Sequence, residues 1–328
     1  MSLILLVVAA FNEWRYRPHP LTGDIMNEVK AYLYPNPPLD GETLTNIWGD
    51  TFEMKNRPFL EIELFNFPSG KHAIEILYPI RLRKTVNVNS SYTSVYFSHN
   101  EFNNHKLSEV EVLIMAKRNK NKFILPLSVH KISGKVRDFE GRSFPSYLWA
   151  TKEDDPKFKS IVKTDSNGNF IFYYPEGKKL RLFIDDKSYS KETLECWVII
   201  NTLKTDLKIN PKVGNFELYD LQVWFTMGLC YAFFVPASLS LSMREKKFRW
   251  KRLFPPRLTK EDRITVLINN KKAEIKDIVE LPTHGKVYYP SYMVVAKPKQ
   301  RKFTSPIIVK VEVNSPEKGR GEAWHVYY

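Results

Sequence analysis

The feature that most limits what this chain can become is a two-residue alternation of apolar and polar side chains, which recurs from Met26 to the C-terminal tyrosines. Successive side chains of an extended strand point to opposite faces, so a period of two puts every second residue on one side of a sheet. MNEVKAYL, from Met26 to Leu33, alternates in this way. Phe59-Leu60-Glu61-Ile62-Glu63-Leu64-Phe65 sets Leu60, Ile62 and Leu64 against Glu61 and Glu63, whose carboxylates are expected on the outer face. The pattern predicts a mostly β chain of antiparallel sandwich and barrel-like domains. A hydrophobic fraction of 43% and an aromatic fraction of 14% supply the apolar surface that packed cores need, which excludes wholesale disorder. At 328 residues there is more than one core's worth of chain. The divisions expected are an N-terminal β domain at 1–128, a small sandwich module at 129–205 and a C-terminal β domain at 206–328.

Turn chemistry sets the strand order locally. Pro68-Ser69-Gly70 is expected to fold Phe59–Phe65 back on His72–Leu77 as a hairpin. The charged run from Lys117 to Lys122 reads as the solvated tip between Val110–Met115 and Phe123–Leu125. Asp138 to Gly141, Asp165 to Asn169 and Asn269-Asn270 each read as tight turns, because Gly and Asn tolerate positive φ and Asp caps its own backbone.

Two of those turns belong to the patterns I-S-G-x-V-x-D-x-x-G, starting at Ile132, and T-D-x-x-G-x-F, starting at Thr164. Together these resemble the carboxypeptidase regulatory-like module, a transthyretin-like β-sandwich, over about 130–185. The resemblance implies a sandwich in a surface-protein setting, extracytoplasmic rather than cytoplasmic, and transfers no catalytic residue. The charged excursion from Lys152 to Lys159 departs from the module's usual shorter connection. Two later segments, THGKVYYPSYMVVAKP and EKGRGEAWHVYY, resemble the carotenoid hydratase (hydroxyneurosporene-synthase-like) lipocalin family over about 265–328. That resemblance implies a closed barrel around an isoprenoid or other apolar molecule, again with no catalytic acid to carry over.

Two apolar stretches bear on membranes. Leu221 to Met243 lacks any charge and could span a bilayer ahead of REKKFRWKR. Pro236 and the alternation of Ser238, Ser240 and Ser242 with Leu239, Leu241 and Met243 favour two buried strands joined near Pro236 instead. Leu3 to Phe11 lacks the basic residues that precede a signal-peptide core, and reads as a first buried strand or the remnant of a targeting segment. Cys196 and Cys230 are too few for a disulfide framework and could form one bridge or stay as buried thiols.

The residues that could carry chemistry are sparse. Phosphate-cradling glycine loops, zinc-protease helices and nucleophile elbows are missing, and nothing in the sequence points to a metal or a cofactor. His99, Glu101 and His105 come nearest to a metal cluster but read as a polar loop. Asp50 and Glu53, beside Trp48, are the acid–base candidates if burial in a barrel raises their pKa. The formal charge of +14 gives a positive field that fits nucleic acid, anionic lipid or an acidic partner equally. Arg244, Lys246, Lys247, Arg249, Lys251 and Arg252 interleave with Phe248 and Trp250, as in phosphate binding with base stacking or peripheral membrane contact. The plainer reading is an edge kept soluble by charge. The leading expectation is a non-catalytic ligand-binding or interaction protein. Trp14, Trp48, Tyr288, Tyr289 and Trp324 would line a cleft for an apolar or carbohydrate-like molecule, since flat amphipathic rings give contact area at little entropic cost.

Overall fold

The computed structural model describes residues 27–46, 50–89, 91–116, 119–151, 159–245, 255–282, 290–300 and 302–328. The first group of strands is β1 (Glu28–Tyr34), β2 (Thr43–Thr45), β3 (Thr51–Glu53), β4 (Phe59–Phe65), β5 (Gly70–Tyr78), β6 (Leu82–Val88), β7 (Tyr92–Ser98), β8 (Glu109–Ala116) and β9 (Asn119–Pro126). Sheet β1-β4-β7 faces sheet β6-β5-β8-β9. The alternating residues Leu60, Ile62, Leu64, Ile74, Ile76, Val110, Val112 and Ile114 meet in the core between them. β4 and β5 therefore lie in different sheets, and Pro68 to Gly70 is a crossing between layers rather than the hairpin expected. The β8–β9 hairpin is as expected, though Lys117 and Arg118 at its tip lie outside the described residues.

The outer face of β4 is not exposed either. Glu61 and Glu63 are buried beneath Lys178, which pairs with both, at 3.5 Å from Glu61. Tyr34 and Tyr92 donate their hydroxyls to Glu61 and Glu63 at 2.9 and 2.6 Å. The sequence shows the alternation but not the element that lands on the second face.

The middle of the chain supplies β10 (Val129–Lys135), β11 (Tyr147–Thr151), β12 (Lys159–Lys163), β13 (Asn169–Pro175), β14 (Leu180–Asp185), β15 (Cys196–Ile200) and β16 (Leu207–Ile209). The expected turns are present: Asp138 accepts the amides of Glu140 and Arg142, Asp165 accepts those of Asn167 and Asn169, and Gly141 and Gly168 take φ of 86° and 77°. Sheet β13-β10-β16 covers one face of β12-β11-β14-β15 over Ile132, Phe172, Leu148, Leu182, Ile184 and Val198, a two-layer β-sandwich.

The last group is β17 (Phe216–Thr226), β18 (Leu229–Ser238), α1 (Leu239–Glu245), β19 (Arg263–Ile268), β20 (Lys271–Lys272), β21 (Glu274–Pro282), β22 (Pro290–Lys297), β23 (Ile307–Ser315) and β24 (Gly319–Tyr327). β24 pairs in parallel with β15, so the middle sheet continues into an eight-stranded sheet, β12-β11-β14-β15-β24-β23-β19-β20. Its two faces serve different cores. Trp324 and Val326 of β24 point into the middle sandwich. Ala323, with Val309, Val311 and Val313 of β23, packs against sheet β17-β18-β22-β21.

These sheets are open, and the closed barrel expected of the C-terminal region is not what the described strands form. The two segments behind the lipocalin resemblance end in β22 and β24, which belong to different sheets. The uncharged stretch is a β17–β18 hairpin whose turn is Met227-Gly228, both at positive φ, rather than Pro236. Pro236 sits inside β18, beyond the last residue paired with β22, where its missing N–H is tolerated. The serine-rich end expected as strand is the short helix α1: the Ser238 hydroxyl accepts the amide of Leu241, an N-cap that outweighs the alternation. Among the described residues no helix is long and apolar enough to cross a membrane. Cys196 and Cys230 are buried free thiols in different cores.

Candidate functional site

The opposite face of the middle sheet carries the most unusual chemistry. β11, β14 and β15 are antiparallel neighbours, and their register aligns Trp149, Phe183 and Trp197 in one row. Because Leu148, Leu182, Ile184, Cys196 and Val198 take the core side, the alternation forces these three rings to the other side. At one end Trp149 packs beside Leu44 and Met54 of the β2–β3 arm and its approach, and at the other Trp197 packs against the β17–β18 sheet. The rings between are only partly covered. Centroids are 4.6 Å apart for Trp149–Phe183, 4.7 Å for Phe183–Trp197 and 5.5 Å for Trp197–Tyr219, the last two edge to face. Such spacing is the favourable range for aromatic pairs.

A row of acids runs beside the rings. Asp185 closes β14 and Glu195 directly precedes β15, one step beyond the Ile184–Cys196 pair, while β17 brings Glu217 from above. All three are buried, at 4%, 8% and 0% exposure. The Trp149 indole donates to Asp185 Oδ2 at 3.3 Å and the Trp197 indole to Glu217 Oε1 at 2.7 Å. Asp185 Oδ1 and Glu217 Oε2 are buried without a hydrogen-bond partner among the described residues. Burial pushes the Asp185 carboxyl up to about 7, against the indole bond that lowers it. Burial likewise raises Glu217 to about 8, and raises Glu195 well above the carboxylate range with help from Glu217 and Asp185. At neutral pH the three groups hold protons among them.

The loop between β14 and β15 is held by its own side chains. Asp186 Oδ1 accepts the Ser188 amide and the hydroxyls of Ser188 and Thr193, and Leu194 donates to the Gly214 carbonyl. Tyr189 from this loop and Tyr219 from β17 pack over Leu194, Ala237 and Leu239 at the edge of the acids. Lys187 and Lys163 both pair with Glu42, which ties the loop and β12 to the β2–β3 arm.

Of the residues expected from sequence to form a site, those that are described do not border this row. Trp14, Trp48, Tyr288 and Tyr289 are outside the described residues. Trp324 is core, 6% exposed, its indole donating to buried Glu322 at 2.8 Å. Glu53 is exposed and paired with Lys55 at 3.3 Å, and Asp50 exchanges hydrogen bonds with Asn46 at the end of a loop whose residues 47–49, Trp48 among them, lie outside those described. Of the basic segment, Arg244 is described and lies 3.7 Å from Glu317, while Lys246, Lys247, Arg249, Lys251 and Arg252 are outside. His99 accepts the Glu101 amide to cap a short turn, and His105 stacks on Tyr173 at 4.4 Å. No group of residues among those described could hold a metal ion.

No family model matches the chain, and no curated protein matches its sequence. Solved structures align only loosely. A DUF3823 family protein from Parabacteroides merdae matches at 13% identity and a TM-score of 0.21, over 61% of this chain and 98% of its own. A candidate carbohydrate binding protein from Bacteroides uniformis matches at 9% identity and a TM-score of 0.22, over 60% and 98%. The BcpA major pilin subunit of Bacillus cereus matches at 11% and 0.19, over 60% and 68%. At these TM-scores the alignments carry no argument about function.

Proposed function

We propose that this chain is a non-catalytic binding protein whose ligand lies on the row Trp149–Phe183–Trp197, bordered by Asp185, Glu195 and Glu217. The observation that carries the reading is the pairing of partly covered rings with buried acid oxygens that lack a hydrogen-bond partner among the described residues. A protein interior rarely leaves such oxygens unsatisfied unless something else meets them. Flat rings flanked by hydrogen-bonding groups suit a carbohydrate-like molecule, with one apolar face and a polar rim.

Two of the rings are tryptophans, so binding is visible as a change in intrinsic fluorescence. Titration with neutral oligosaccharides is expected to shift emission. Trp149→Ala and Trp197→Ala are each expected to weaken binding about two- to thirteenfold, from about 0.5–1.5 kcal/mol per ring contact. An unchanged spectrum across the sugars, or affinities that survive both substitutions, would count against the row as a ligand site.

A further inference from the structure

Eight acids are buried among the described residues, and five of them have a cation of their own. Lys178 serves Glu61 and Glu63, Lys318 lies 2.6 Å from Asp262, Lys310 lies 3.1 Å from Glu322, and Arg142 lies 2.5 Å from Asp138. Asp185, Glu195 and Glu217 are the other three, and no Lys or Arg among the described residues forms an ion pair with any of them. In a chain with a net charge of +14, cations are not scarce. The three acids without one are also the three that stand together beside the aromatic row.

Isolated carboxylates are not kept in low dielectric without compensation. Here protons fill that role in the absence of ligand, and Asp185 Oδ1 and Glu217 Oε2 are buried without a hydrogen-bond partner among the described residues. Trp149, Phe183, Trp197 and Tyr219 add ring faces and edges, and aromatic faces attract organic cations. Resting on the reading of this row as a ligand site, we infer that the acids receive an organic ammonium group of the ligand, of the choline or alkylated-amine type.

The groups facing the acids from each packed element are few. Asp186 is engaged by Ser188 and Thr193, and Tyr189 and Tyr219, the latter hydrogen-bonded to Glu217, are held neutral by burial. A permanent cation entering this site expels the shared protons to solvent. Affinity therefore rises with pH while those protons are being displaced, by up to roughly tenfold per pH unit for each proton.

The test compares choline with its uncharged isostere 3,3-dimethylbutanol on the full chain, by tryptophan fluorescence and by calorimetry in buffers of different ionisation enthalpy. Choline is expected to bind at least tenfold more tightly than the isostere, to release protons, and to gain affinity from pH 6 to pH 8. Glu217→Gln and Asp185→Asn, both near-isosteric, are each expected to weaken choline at least fivefold, with near-ultraviolet circular dichroism confirming the fold. Equal binding of choline and the isostere, no proton release, or unaltered choline binding in both variants overturns the inference. If neutral oligosaccharides bind the row and choline does not, the inference falls while the site stands. If neither binds, both fall.

Discussion

Glu217 shows how one buried acid couples a site to stability. Its folded pKa is raised, so the contribution it makes to folding is fully present below the unfolded value near 4. That contribution is lost as pH rises through the folded value of about 8. Asp185, raised to about 7, acts in the same direction. His325 opposes them: buried between the Leu221 carbonyl and Asn201, it is pushed down to about 4, so it favours folding above pH 6.5 and loses that as pH falls. Glu217→Gln is therefore expected to stabilise the chain at pH 8 by up to about 4 kcal/mol and to change little at pH 4, since one pKa unit is worth about 1.4 kcal/mol. Urea unfolding at the two pH values measures it. At the same scale, Gly168 has φ of 77° and a Cβ there would sit 2.4 Å from the Val136 carbonyl oxygen. Gly168→Ala is expected to cost at least about 1–2 kcal/mol in a melting experiment, because the left-handed region is strained for any side chain.

Elements are joined here by buried polar ties as much as by apolar layers. Lys178, just ahead of β14, reaches across to β4, pairs with Glu61 and Glu63, and lies 3.9 Å from the centre of the Tyr32 ring. Lys178→Met removes the charge but leaves both carboxylates buried, a change expected to destabilise by about 3–5 kcal/mol. The triple variant that adds Glu61→Gln and Glu63→Gln to Lys178→Met should recover much of that loss, which a comparison of urea midpoints with those of the Lys178→Met and the Glu61→Gln/Glu63→Gln variants will show. The same contrast explains what could be foreseen. Strands β1, β4, β8, β10, β11, β13, β22 and β23, and the turns at 138–141, 165–169 and 269–270, were legible because alternation and turn chemistry are local. The hairpin expected at Pro68 and the exposure expected of Glu61 and Glu63 fail because each depends on which sheet a neighbour joins, whereas the strand expected after Pro236 gives way to a local helix cap at Ser238. The candidate site was illegible for the same reason: Trp149, Phe183 and Trp197 are 14 or more positions apart in sequence and meet only through register.

For the molecule as a whole, the decisive connection is the parallel pairing of β15 with β24, which draws the last strand of the chain into the middle sandwich. Trp324 and Val326 complete the core around Leu182 and Val198. A fragment of residues 129–205 lacks both and leaves the β15 edge unpaired. It is expected to show no cooperative urea transition, whereas a fragment of 129–328 is expected to unfold in one step. Two transitions in the longer fragment, or a cooperative one in the shorter, would show that the shared sheet does not couple the two regions.

The sequence by itself determined that this chain would be β-rich, where most strands and turns would fall, and which residues of each strand share a face, because side-chain periodicity and backbone preference act over a few residues. Only the tertiary structure decided which strands became neighbours, which acids lost water and which gained a lysine. Those outcomes depend on contacts between segments far apart in the chain, and a carboxyl's pKa is set by whatever is packed against it.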